Sequence, residues 1–381
     1  MAATDASTAD PENGPLGITA KSSSPSRSAA RALRYQAHSH GREMLRAAAL
    51  AESPDRWPGD VFRTVDCRNK AHSDIGVYYS SAHESAHYGG LVTCGSVWAC
   101  PICASRIQER RRLEIEQAIQ WAHSHSLVPV LVTFTFPHRS WHSLRDLIHQ
   151  QRAAFKRLRS GKAWMSVKPV GLIRSLEVTH GANGWHPHTH ELWFCDSQSL
   201  PDLRRLVTMW ERSCSRAGLL DPNDSGQLRA FRAHGVDIQV ETCAKAGDYL
   251  AKIDDSRSWG FAHEVGKAAS KAGRAKGVHP HHFLIRRAAG DAANFVEYVR
   301  AMKGARQLFW SPGLKAKAGI GEVTDEELAD ETREPADLLG RLSPEDWDYV
   351  RGNDARAELL DAAETGGWSA VRHLLRSLGA P

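Results

Sequence analysis

The chain has 381 residues, 41% of them hydrophobic, and a formal net charge of +5. That is enough to bury a sizeable core and to divide into more than one domain. No apolar run reaches membrane-spanning length and no hydrophobic leader stands near the amino terminus, which points away from membrane and exported proteins and toward a cytoplasmic one. The charge is unevenly placed: residues 321–365 carry fifteen Asp/Glu against four Arg, so a basic body bears an acidic tail, a balance suited to a polyanionic partner.

Residues 1–58 begin rich in Ser, Ala, Thr and Pro and then become Arg-rich. They are expected to be mostly disordered, with helical character only from Arg42 to Glu52. Residues 59–125 read as a cysteine-rich module. A strand-like piece from Val61 to Cys67 precedes Cys94-Gly-Ser-Val-Trp-Ala-Cys100-Pro-Ile-Cys103. The Cys-x2-Cys knuckle presents two thiolates to one ion, Cys94 supplies a third, and Cys67 is expected as the fourth, with His83 or His87 as alternatives. Seven cysteines in a chain without an export signal favour a metal over disulfides. A structural Zn2+ here would fold a segment too small to hold its own core. From Ala104 to Ser124 the apolar spacing is helical, with Arg106, Arg110, Arg111 and Arg112 opposite, a face either solvated or turned to DNA.

Val128 to Phe136 is the clearest strand, ended by Pro137. Ser140 to Arg159 reads as a helix capped by Ser140 and carrying Arg152, Lys156 and Arg159, with Lys162 just beyond. Leu172 to Thr179 alternates as a strand and holds Glu177. After the turn-like Gly181-Ala182-Asn183-Gly184, the return strand holds His186, His188 and His190. Side chains two apart on a strand share a face, and Glu177 comes beside them across the hairpin. Imidazoles and a carboxylate converging on one face suit a divalent metal with open positions, where scattered surface histidines would not converge. A helix near 200–217, the strand His234 to Glu241 and a helix from Ala244 to Ile253 follow. The last places Lys245, Tyr249 and Lys252 on one face. An unaided phenol is a poor nucleophile, but beside a metal and a lysine it can form a covalent intermediate. The order implies an α+β domain over residues 126–255, an antiparallel sheet with helices packed on one face. Residues 256–320 read as a basic accessory or DNA-contacting segment in which His279-Pro-His281-His282 is expected as a solvated or phosphate-contacting patch, with a second metal site as the alternative. Residues 321–381 read as acidic amphipathic helices.

His-Pro-His-Thr-His after a Glu-bearing strand, Val-Thr-Phe-Thr-Phe-Pro upstream, the Cys94–Cys103 knuckle before that and Tyr249-Leu-Ala-Lys252 after it resemble the rolling-circle replication initiators (Rep proteins) of bacterial plasmids, in the HUH endonuclease superfamily. The resemblance runs from about Cys67 to Leu314. It implies a ferredoxin-like antiparallel sheet, His188, His190 and Glu177 as ligands of Mg2+ or Mn2+, and His186 as a further ligand or a partner behind them. Tyr249 is implied as the nucleophile that nicks single-stranded or hairpin origin DNA. The product is a 5′-phosphotyrosine and a 3′-OH that primes synthesis by a host DNA polymerase, with a host helicase as a further expected partner. Thr189 sits where the family's His-x-His has a more apolar residue. Lys252 and Lys245 are expected to hold phosphate or assist the phenolate, and the second attack that ends a round is expected from another Tyr or from water activated by a carboxylate, Glu241 or Asp248. Arg152, Lys156 and Arg159 are the expected backbone contacts, and Trp98, Trp164, Trp185 and Trp193 include possible base-stacking platforms. Three other readings stay open: a relaxase or transposase-like nickase, a metal-dependent hydrolase, and a non-catalytic zinc-dependent DNA-binding regulator.

Overall fold

The structure is a computed structural model that describes residues 26–240, 277–330 and 335–380. Its first half runs α1 (Arg27–Glu52), α2 (Pro58–Val61), β1 (Ala71–Ser80), β2 (Ser85–Leu91), α3 (Pro101–Ser124), β3 (Leu127–Phe134), α4 (Leu144–Leu158), α5 (Lys162–Met165), β4 (Gly171–Gly181) and β5 (Gly184–Asp196). There follow α6 (Leu203–Ala217), α7 (Ser225–His234), β6 (Val236–Val240), α8 (Phe283–Arg286), α9 (Asp291–Ala301), β7 (Leu308–Trp310), α10 (Leu314–Lys317), α11 (Asp325–Ala329), β8 (Asp337–Leu342), α12 (Pro344–Gly352) and α13 (Arg356–Ser377). The fold is α+β with antiparallel sheets.

The larger sheet has the order β6-β3-β5-β4-β7, with every pairing antiparallel. Its centre is the hairpin of β4 and β5, which closes with Gly181 opposite Gly184. Gly184 has φ +79°, and a Cβ there would lie 2.8 Å from Ser140 Cα, so the corner needs glycine both for its backbone and for room. The period of two divides the sheet residues cleanly. Val130, Phe134, Leu172 and Trp193 face one side, where α4 and α6 cover them with Phe155 and Trp210. Leu131, Ile173, Leu192 and Phe194 face the other, under Ile115, Ala118, Ile119 and Ala122 of α3 together with Leu314 and Ile320. Helices therefore pack on both faces, not on one as the element order suggested. On the α3 side they cover only the half of the sheet that carries Leu192 and Phe194. The other half of that face carries the histidines.

The smaller sheet, β2-β1-β8, joins the two ends of the described chain. Tyr79 pairs with Asp337 and Ile75 with Leu342, so the segment expected as an acidic helical tail contributes a strand to the cysteine-rich region. Trp347 Nε1 donates to Asn69 O at 2.9 Å, and Tyr88 hydroxyl donates to Arg356 O at 2.8 Å. The amino-terminal expectation also changes. The helix runs from Arg27, not Arg42, and is capped by Ser26. Its buried positions, Tyr35, His38, Gly41, Leu45 and Ala49, pack against α3, α8 and α13, and Arg31 pairs with Asp361 and Glu364. Helix α4 begins at Leu144 with Ser143 as its cap in place of Ser140. Ser140 lies in the preceding turn.

Candidate metal centre

Strand register brings the site together. Glu177 on β4 is directly opposite His188 on β5, and His190 is opposite Ser175 on one side and Thr133 of β3 on the other. Both imidazoles aim the same atom at the same oxygen: His188 Nε2 lies 3.0 Å and His190 Nε2 3.1 Å from Glu177 Oε2. One ligand atom from each of the three lies within 4.8 Å of the others. The remaining ring nitrogens are held from behind. His190 Nδ1 is 3.0 Å from Thr133 Oγ1, and His188 Nδ1 is 3.2 Å from the backbone oxygen of His186. Such bonds fix ring orientation and leave Nε2 for a cation. Two neutral imidazoles and a carboxylate, half-buried on the half of the sheet face that α3 leaves uncovered, are a donor set that fits a divalent ion with free positions.

Burial opposes ionisation of Glu177, but hydrogen bonds from His188 and His190, and their charge, outweigh it and hold the carboxyl down at about 2. His188 shows the mirror effect: burial lowers its pKa, and the Glu177 carboxylate overcomes that and raises it. An anionic carboxylate facing two imidazoles attracts a cation.

His186 is not in this group. Its Nε2 is 2.8 Å from Thr135 Oγ1, and its ring stacks on His138 with centroids 4.5 Å apart. Burial, then the charges of His188 and His138, push it down to about 3. As a ligand it is corrected: it orients His188 through its carbonyl. Thr133, Thr135 and His138 escaped the sequence reading. The Val-Thr-Phe-Thr-Phe alternation was the available signal, since it puts both threonines on the face opposite to the phenylalanines.

A second group is built by Cys67, Cys94, Cys100 and Cys103, all buried. Sulfur separations are 3.7 Å for Cys67–Cys100, 3.6 Å for Cys67–Cys103 and 3.7 Å for Cys94–Cys103. Four thiolates at ~2.3 Å around a tetrahedral ion sit ~3.8 Å apart, so the cluster has the spacing of a metal site. Backbone N–H groups support the sulfurs: Cys94 N donates to Cys67 at 3.4 Å and Cys103 N to Cys100 at 3.4 Å. Cys67 is the fourth member. His87 instead stacks on Tyr78.

Tyr249, Lys252, Lys245, Glu241 and Asp248 lie outside the described residues. Of the expected DNA contacts, Arg152 and Lys156 are exposed on α4. Arg159 is not free for DNA: it pairs with the fully buried Glu191, which also accepts from Trp193 Nε1 at 2.8 Å, and it lies over the rings of Phe155 and Trp164. On α3, Arg111 pairs with Glu114 and Asp325, and Arg112 with Glu109 and Glu116. Trp98, Trp164, Trp185 and Trp193 are all buried in the core. His279 and His281 are buried too, with His281 Nε2 2.8 Å from Trp98 O, which corrects the solvated patch. Asp237 of β6 sits opposite Thr133, in the same row as His190.

Residues 92–217, which hold the cysteine knuckle, β3, the hairpin and α6, match the model of a family described as replication protein. That stretch is similar to the Rep replication proteins. The curated protein named "Protein rep" of Streptomyces lividans is 28% identical, the match covering 74% of this chain and 73% of that one. A protein named "Neomycin resistance protein" of Streptomyces cyanogenus is 31% identical over a shorter stretch, 31% of this chain and 34% of that protein. No solved structure matches the chain. The relationship supports a plasmid replication initiator. Among the described residues, no helix is long and apolar enough to cross a membrane.

Proposed function

We propose that the protein starts rolling-circle replication by nicking single-stranded origin DNA of a plasmid through a covalent tyrosine. The observation that carries this reading is the convergence of His188 Nε2 and His190 Nε2 on Glu177 Oε2 on one sheet face. His188, His190 and Glu177 would hold Mg2+ or Mn2+. Once bound, the ion polarises the scissile phosphate and stabilises charge on its non-bridging oxygens. The Tyr249 hydroxyl gives up its proton and its oxygen attacks phosphorus in line. The bond to the 3′ oxygen breaks, leaving a 5′-phosphotyrosine on the protein and a 3′-OH on the strand. Lys245 and Lys252 are assigned to the phosphate and the phenolate. Glu241 or Asp248 serves the second attack that closes the round. The 3′-OH primes synthesis by a host polymerase, with a host helicase as partner. In this reading the larger sheet is an HUH-type, ferredoxin-like one.

Cys67, Cys94, Cys100 and Cys103 would hold Zn2+ as a structural ion, since four buried thiolates leave no position for substrate. Elemental analysis should find about one tightly held zinc per chain, lost together with thermal stability in Cys100→Ser and Cys103→Ser. A folded, zinc-free preparation sinks that assignment.

The nicking reading is tested with purified protein, Mn2+ and a labelled single-stranded origin oligonucleotide on a denaturing gel. The expected result is a protein–DNA adduct that disappears in Tyr249→Phe. Cleavage without an adduct would instead support the hydrolase reading, and binding without cleavage the regulator.

A further inference from the structure

Between β3 and α4 the chain makes a turn that the replication chemistry above does not use. His138 stacks on His186, whose ring is 4.9 Å from that of His188. Two residues on, Ser140 rests against Gly184 at the hairpin corner, where β5 begins. The turn is closed twice over: His142 N donates to Arg139 O at 3.1 Å, and Arg139 N donates to His142 Nδ1 at 3.2 Å. At its corner stands Trp141, 76% exposed, the most exposed large apolar side chain among the described residues. The His142 ring meets its edge at 5.8 Å. Arg139 beside it is exposed as well.

An indole left in water is unfavourable unless something covers it. Here it is presented by a hydrogen-bonded turn, with a cation alongside, on the loop that stacks on His186 next to the candidate metal ligands. We propose that Trp141 is a stacking platform for a base of the single-stranded substrate next to the scissile phosphate, with Arg139 facing the adjoining backbone. The occupant is a nucleobase because the neighbouring groups are basic and the site beside it is fitted for a phosphodiester. An indole face accepts any base, so its contribution is to hold and orient the strand, not to read its sequence. Ordering costs little, since the turn is already closed by its own hydrogen bonds.

This inference rests on the nicking reading for its purpose, but the test separates the two. Binding of a fluorescein-labelled oligo-dT strand is measured by anisotropy without divalent metal, and adduct formation is measured in parallel with Mn2+. Trp141→Ala should weaken oligo-dT binding about tenfold, Trp141→Phe should recover most of it, and affinity for a blunt duplex should stay unchanged. An abasic nucleotide at one position of the origin strand should cost wild type as much as the Ala substitution does, and should cost the Ala variant nothing more. The proposal is overturned if Trp141→Ala binds oligo-dT as wild type does. It is equally overturned if single strand and duplex weaken alike, or if the substitution turns a sedimenting dimer into a monomer, which would assign the indole to a second copy of the chain. Loss of the adduct in wild type, with the oligo-dT result intact, removes the nicking reading alone.

Discussion

At the scale of single residues, the centre depends on how its histidines are aimed. Thr133 accepts or donates at His190 Nδ1 from the neighbouring strand, and this bond decides which nitrogen faces Glu177. Replacing Thr133 by Val keeps the volume and removes the hydroxyl. We expect Mn2+ affinity to fall by roughly 10–100-fold in calorimetric titration, with the thermal midpoint nearly unchanged. Unaltered affinity would show that strand geometry by itself holds the ring. Glu191 shows how closely position governs role. It is next to His190 in sequence but on the opposite face, fully buried, and spent on Arg159 and Trp193. The charge of Arg159 looked available for DNA because a helix pattern reveals which residues share a face, not which buried acid waits beneath them.

Among the elements, α4 carries the clearest basic surface. Arg145, His149, Arg152 and Lys156 are spaced by four, three and four and are all exposed, so they form one stripe on the side of the sheet away from the metal centre. Nothing on α4 neutralises them beyond its first turn, which holds Asp146. Alanine at both Arg152 and Lys156 should reduce the slope of log affinity against log salt by about 1.5 for single-stranded DNA, each contact releasing a fraction of a counterion. The urea midpoint should barely move, because both side chains are solvent-facing. A slope equal to that of wild type removes the stripe from the DNA surface. The strands β3, β4 and β5 and the helix α4 were legible locally, each within a residue or a few of its observed ends, because their apolar periods are strong. The helix α1 was not. Apart from Tyr35 and Leu45 its buried residues are small or polar, Ala37, His38, Gly41 and Ala49 among them, and what makes them a core face is the arrival of α8 and α13 from some 240 to 320 residues later.

For the molecule as a whole, acid stability should follow its buried histidines. Burial pushes His281 down to about 4, only partly offset by the Trp98 carbonyl, and pushes His38 and His279 well below their ordinary value. Since the folded pKa lies below the unfolded one, the unfolded chain takes up protons first. Stability is complete above about pH 6.5 and falls as pH drops toward 4, by about 3 kcal/mol for His281 across that window. Urea midpoints measured from pH 7 to 4 should decline, and a variant His281→Gln should decline less steeply. A midpoint that stays level over this range would contradict the burial of these rings.

The amino-acid sequence by itself determined most of the two candidate ligand groups. A period of two and a tight turn leave Glu177, His188 and His190 little choice but one face, and Cys94, Cys100 and Cys103 lie within ten residues. Tertiary structure alone decided that Cys67 and not His87 completes the thiolate group, and that among the described residues α3 covers only the half of that face beside the histidines. It also decided that β8 joins β1 from 260 residues away. Local spacing is written in the backbone period, whereas partners distant in the chain are chosen by which apolar surfaces fit together once the chain has closed on itself.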